Sequence, residues 1–301
     1  MAELINYERE LKGPDSYEHF NTISKVCQSR HLNLIRIQIY LLSIIALIST
    51  VPELKEPCEL TKLIILLALI IIVLSLMTIQ FRQNYMEGWQ KARFLAESIL
   101  SECWLLVFKY GDYSANGYDK SITLFHSRIK DMKNEVDIKE FLCVSEAPHV
   151  DHDNTNWMRT QYNADINQKR DFYVKHRVDD QIGWYEKKSM YNTNKSNTFF
   201  VLGLLCMVMG MILTIFVIGK LIPNLSYLGL FTTIAASIFS WKQTKRFEEL
   251  KTTYSVAADE LTDFKKLIIN NGSDGELKQL IFNTEKAISR EHKIWYNRRA
   301  E

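Results

Sequence analysis

Residues Leu63 to Phe81 read LIILLALIIIVLSLMTIQF, nineteen positions without one charge. That stretch restricts the fold more than any other feature of the chain. As an α-helix it matches the ~30 Å hydrocarbon core of a bilayer, which takes roughly 17–25 apolar residues. A helix in a soluble core usually keeps one polar face, and this one has none. Three further uncharged, mostly apolar runs stand beside it: Ile37 to Pro52, Ser196 to Gly219, and Leu221 to Trp241. The first of these is short, and it extends back to Leu32 if Arg36 snorkels its guanidinium to the headgroups. Whole-chain values hide the runs, since 301 residues with net charge +2 and 47% hydrophobic content would fit one or two soluble domains.

Basic residues near the run ends set the expected topology. Lys25, Arg30 and Arg36 precede the first run, and Arg82, Lys91 and Arg93 follow the second, while the loop VPELKEPCELTK between them holds two lysines against three glutamates. Lys187, Lys188 and Lys195 precede the third run, Lys242, Lys245, Arg246 and Lys251 follow the fourth, and Lys220 stands alone between. Both hairpins are thus expected to enter and leave on the cytoplasmic side of the membrane, with both termini cytoplasmic. The first 36 residues carry no apolar segment framed by a small-residue cleavage site, so the first span would act as its own insertion signal. Five scattered cysteines, Cys27, Cys58, Cys103, Cys143 and Cys206, form neither a disulfide framework nor a zinc pattern.

The chain reads as one plan used twice, in residues 1–148 and 149–301: a basic entry, a span, a short outer turn, a second span, and a cytosolic stem helix continuing directly from it. The stems are FRQNYMEGWQKARFLAESILSECWLLVF and WKQTKRFEELKTTYSVAADELTDFKKLI. An offset of 162 (247 minus 85) sets Tyr85 against Phe247, Ala96 against Ala258 and Glu97 against Asp259. Amphipathic helices are expected over Tyr118 to Leu142 and from Trp157 to Ser189, the latter with Arg177, Gln181, Trp184 and Tyr185 on one face. A last helix carries Leu277, Leu280, Ile281, Thr284, Ile288, Glu291 and Trp295 at spacings of three and four. No strand pattern of useful length is present. The expected fold is all-α, a membrane protein with two transmembrane hairpins (four spans) and cytosolic helical stems.

Catalytic and cofactor motifs are absent from the sequence. Eleven thinly spread glycines form neither GxxxxGK[ST] nor GxGxxG, and no serine or cysteine sits in a nucleophile motif. His149, Asp151, His152 and Asp153 in HVDHD have metal-ligand chemistry, but they follow Pro148 in a polar loop, and a solvated turn is the expected reading. Acids interleave with bases along the helices, the pattern of a salt-bridged surface and not of a nucleic-acid groove. No catalytic, cofactor or metal site is therefore expected. The spans hold hydroxyls but no carboxylate, lysine or histidine, which argues against proton-coupled transport. Thr233, Ser237 and Ser240 share one face of the fourth run and are the candidate lining of any pore.

One stretch sets ions into an apolar stripe. Tyr85, Trp89, Arg93, Ala96, Leu100 and Trp104 align on a helix face, with Glu97 one residue off its midline. Two spans followed by a stem reading R-x-x-A-E-S, with a tryptophan seven residues beyond the glutamate, resemble the SLATT domains, two-helix membrane effectors associated with nucleotide-second-messenger synthases and SLOG sensors in bacterial conflict systems. Arg93, Ala96, Glu97, Ser98 and Trp104 carry the likeness in the first copy. RVDDQIGWY, with Arg177, Gln181, Trp184 and Tyr185, and EKAISREHKIWY, with Glu285, Glu291 and Trp295, are similar to another subtype. The second stem departs from the pattern, with Ser255 where Arg93 would fall and Lys266 where Trp104 would. The resemblance implies an antiphage effector that oligomerises in the bilayer into a pore or disruptive assembly when a sensor or nucleotide-synthase partner triggers it. A non-conducting scaffold presenting helices to a partner is the alternative. Trp89, Arg93, Ala96, Glu97, Trp104, Arg177, Gln181, Trp184, Tyr185, Glu291 and Trp295 are the expected stem-packing residues, an Arg–Glu pair at the edge of an aromatic stripe serving register more than stability.

Overall fold

A computed structural model describes residues 11–52, 57–115, 117–138, 141, 156–223, 227–271 and 273–297, with side chains as far as 289. Helices account for nearly all of these residues, and no strand occurs among them. In chain order they are α1 (Asp15–Ser49), α2 (Cys58–Gln83), α3 (Tyr85–Val107), a short 3-10 turn (Gly111–Tyr113), α4 (Tyr118–Val136), α5 (Asn156–Asn163), α6 (Ile166–Tyr173), a π-helical segment (Val174–Asp179), α7 (Asp180–Ile218), α8 (Tyr227–Thr244), α9 (Phe247–Asn270) and α10 (Asp274–Asn297). Three helical stretches, within α1, within α2–α3 and within α6–α7, are long and apolar enough to cross a membrane. Only 6%, 6% and 11% of their most apolar windows is buried inside the structure, so their side chains need another apolar medium. The fourth run contributes α8, which has 18 residues.

The chain divides into two compact units, Met1–Gln28 with Tyr85–Lys188 and Tyr254–Glu301, and Ser29–Asn84 with Ser189–Thr253. The second unit gathers the described parts of all four apolar runs. Its helices meet through small or polar groups: Gln38 Nε2 donates to Gln80 Oε1 at 2.8 Å between α1 and α2, and Ser43 Oγ donates to Ser237 Oγ at 3.3 Å between α1 and α8. Between α7 and α8 a Cβ at Gly203 would come within 2.5 Å of the Phe239 ring, so a larger residue there would have to displace the ring. The first unit is a polar-shelled helical body. α3 runs through its middle, burying Ala92, Leu95, Ala96, Ile99, Cys103, Trp104 and Leu106 among residues of α1, α4, α5, α6 and α10.

Three expectations of helix continuity are corrected. Each stem is broken from its span at a left-handed residue, Asn84 at φ 38° and Arg246, preceded by Lys245 in the same turn, at φ 53°. Those two positions share the offset of 162 (246 minus 84), as do the first residues of α3 and α9. Asn accepts this backbone readily and closes α2 by donating its N–H to the Gln80 carbonyl, whereas Arg246 gives no such hint in sequence. The pattern from Trp157 to Ser189 breaks before α6, because the Asp165 carboxylate caps the backbone N–H groups of Asn167 and Gln168 at 2.9 and 3.1 Å. α4 stops at Val136, ahead of left-handed Asp137.

Candidate functional site

In the first unit the candidate site is a set of ions buried where α3, the π segment and α10 meet. α3 brings Glu97, which is 0% exposed, and Arg93 one turn earlier, whose Nη2 lies 2.8 Å from Glu97 Oε1. The i, i+4 pair expected from sequence is formed, but its acid is inside the fold. Arg93 Nη1 reaches the Asn21 side-chain oxygen of α1 at 3.5 Å. Beyond Glu97 lies Arg177, 2% exposed, with Nη1 at 3.7 Å from Glu97 Oε2. Its fork is directed at α10: Nε donates to Glu285 Oε1 at 3.0 Å and Nη2 to Oε2 at 2.7 Å. Tyr173 Oη and Ser101 Oγ add donations of 2.8 and 2.7 Å to the same carboxylate. Glu97, Arg177 and Glu285 are thus buried, and Arg93, 23% exposed at the edge, brings the two arginines and two glutamates into balance, the condition under which buried ions persist.

The local fold explains how Arg177 reaches this point. Tyr173, Arg177, Gln181 and Tyr185 recur every four residues, and all four are buried. In a regular α-helix of 3.6 residues per turn, each such step drifts by about 40°. The wider π turn from Val174 to Asp179 absorbs part of that drift and keeps the four side chains on the inner side. Burial alone would push the Arg177 guanidinium down, but the Glu285 charge, its hydrogen bonds and Glu97 raise it above its ordinary value. Burial, then the Glu285 charge, pushes the Tyr173 phenol well up, so it stays a donor.

Aromatic packing surrounds the ions. Trp104 lies 5.0 Å from both Trp157 and Tyr173, ring centre to ring centre. Trp89 is half-buried, and its carbonyl accepts from Ser24 Oγ at 3.4 Å. Tyr185 packs with Ala258, Leu261 and Ile288, while half-buried Trp184 meets Tyr254 edge-on at 5.2 Å. Ala96 is fully buried. The side chains of Glu291 and Trp295, and the residues His149, Asp151, His152, Asp153 and Cys143, lie outside those described. Among the described residues no group of His, Cys, Asp or Glu is arranged to hold a metal.

In the second unit Ser237 faces Ser43 on α1, Thr233 Oγ1 donates to its own helix at Gly229 O (2.8 Å), and Ser240 is exposed. Sequence reasoning missed Tyr173, Ser101 and Asn21 as members of the cluster and named Glu285 only through the family likeness. Glu285 had a signal: it adjoins the Leu277–Ile281–Thr284–Ile288 face, as Glu97 adjoins its stripe.

Exposed apolar helices in one unit and a buried ion cluster among polar helices in the other define an all-α membrane protein. The model of SMODS and SLOG-associating 2TM effector domain 3 matches residues 14–170, and that of domain 1 matches residues 173–295. The chain belongs to this family of two-transmembrane effector domains, SLATT, and carries two copies in tandem. No curated protein and no solved structure matches it. The two matches also divide the cluster: Arg93, Glu97 and Ser101 come from the first copy, and Tyr173, Arg177 and Glu285 from the second.

Proposed function

We propose that the protein is a bacterial inner-membrane effector of antiphage defence whose four apolar runs span the bilayer and assemble, several chains together, into a pore or disruptive oligomer that depolarises the cell. The observation that carries this reading is the exposed apolar surface of the long helices in a chain made of two effector domains. Four spans are too few to enclose an aqueous path comfortably, so conduction requires several chains. Within one chain two of the fourth-run hydroxyls are already engaged, Ser237 with Ser43 and Thr233 with Gly229 O. Opening therefore separates α8 from α1, and Thr233, Ser237 and Ser240 then line the path.

The buried ions fit a registering role. They tie α3, which follows the second run, to α10 and to the helix that continues into the third run, so a partner acting on the stems acts on both hairpins. A sensor protein or a nucleotide-producing enzyme is the proposed source of the trigger. The test is induced expression with a membrane-potential dye: collapse of the potential at induction supports the effector, and an unchanged potential with oligomers present in the membrane supports the scaffold instead.

A further inference from the structure

The charged end of the apolar unit gathers two cations around one aromatic ring. The Arg36 guanidinium, at the head of the first run, lies 5.4 Å from the centre of the Trp241 ring, the last residue of the fourth. Lys245 Nζ lies 5.6 Å from the centre of the same ring. Two cations thus share one indole, and each gains from its π face. Arg36 also donates to Asn33 Oδ1 at 3.2 Å, and no ion pair joins it to a carboxylate among the described residues. Arg82, at the end of the second run, is exposed on this same end, where Gln38 meets Gln80. The exposed apolar residues Ile37, Tyr40 and Phe81 begin at the same level. An indole at the boundary between charge and apolar surface occupies the depth of lipid headgroups.

We infer that Arg36, Trp241 and Lys245 form a binding site for the phosphate of an anionic phospholipid headgroup, clamped between the first and fourth runs. Phosphate is the chemistry that two cations at one indole recognise, and the adjoining acyl-facing surface assigns it to lipid and not to a free anion. Arg36 offers a planar fork to the phosphate oxygens, Lys245 a point charge, and Trp241 holds both at headgroup depth. A lipid held there bridges α1 and α8, the two helices joined by Ser43 and Ser237. The inference rests on bilayer insertion and not on conduction, so a negative lipid result and a negative potential measurement are separate outcomes.

Native mass spectrometry of the full chain released from detergent tests it, with phosphatidylglycerol or phosphatidylcholine titrated in. The wild type is expected to retain phosphatidylglycerol at lower concentration than phosphatidylcholine. Arg36→Gln with Lys245→Gln should raise the half-saturating phosphatidylglycerol concentration about 25-fold, roughly fivefold for each cation. Arg36→Lys should keep most of the binding, and Lys62→Gln with Lys220→Gln, at the other ends of the runs, should keep all of it. Matched thermal unfolding of the variants separates lost binding from lost folding, and Trp241→Phe, which keeps a ring, gives an intermediate loss. Equal retention by wild type and the Arg36/Lys245 double variant overturns the inference. So does displacement of the lipid by millimolar inorganic phosphate, which would make a soluble anion the ligand.

Discussion

Replacing Glu285 with glutamine keeps the side-chain shape and removes one charge from the centre of the ion cluster. Glu285 accepts four hydrogen bonds, from Tyr173 Oη, Ser101 Oγ and Arg177 Nε and Nη2, at 2.7 to 3.0 Å. In Glu285→Gln the amide oxygen still accepts from one side, but the amide nitrogen turns a donor toward the Arg177 fork. Arg177 is 2% exposed and retains only Glu97, at 3.7 Å. Removing one partner of a buried ion pair costs about 3–5 kcal/mol. For a body of this size that lowers Tm by roughly 6–20 °C. The assay is thermal unfolding of the detergent-solubilised protein by tryptophan fluorescence, with exposed Glu135→Gln as control. The double change Arg177→Met with Glu285→Leu removes both charges and should recover most of the loss, because a buried pair as a whole contributes little net stability. A Glu285→Gln loss below about 1 kcal/mol, or additive losses in the double variant, would refute the reasoning.

Lys169 is 6% exposed, its Nζ donates to Tyr162 O at 2.8 Å, and burial followed by the charges of Lys109 and Lys278 lowers its pKa from 10.5 to about 8. The folded chain releases this proton before the unfolded one, so stability should rise between about pH 8 and 10.5, by on the order of 2 kcal/mol, and urea melts of Lys169→Met should lose that slope. Asn84→Gly should be neutral or mildly stabilising and Asn84→Val should cost roughly 1–2 kcal/mol, because the site has φ 38°; equal melting temperatures would contradict the left-handed link. Cys58 is exposed whereas Cys27 and Cys103 are buried, so topology is best read with Ser255→Cys, at an exposed stem position. Impermeant maleimide on intact cells should label Cys58, and should label the residue at 255 only after permeabilisation.

How much of this was legible in sequence depended on whether a residue's neighbours are local. The apolar runs are local, and they appear as exposed helices. The repeat offset was legible from a few aligned letters, and the left-handed residues at 84 and 246 carry the same offset. Arg93 and Glu97 stood out as charges on an apolar helix face, whereas Arg177 was named through the face it shares with Gln181, Trp184 and Tyr185 and through the family likeness. Which partner it finds is a tertiary matter, and Glu285, nearly two hundred residues beyond Glu97, was drawn in only through a family likeness. The π turn left no trace, since Tyr173, Arg177, Gln181 and Tyr185 at spacing four pass for an ordinary helix face. The break at Asp165 did have a signal, an aspartate able to cap the next helix, but apolar periodicity on both sides concealed it.

The central claim is that the apolar unit opens a path for ions. Planar-bilayer recording of the purified full-length chain tests it most directly, with crosslinking of the same preparation to establish that chains associate. The account predicts discrete current steps whose frequency rises more steeply than in proportion to protein density, and which Ser237→Leu suppresses at equal incorporation while Phe239→Leu does not. A silent bilayer at densities where crosslinking gives oligomers would contradict it.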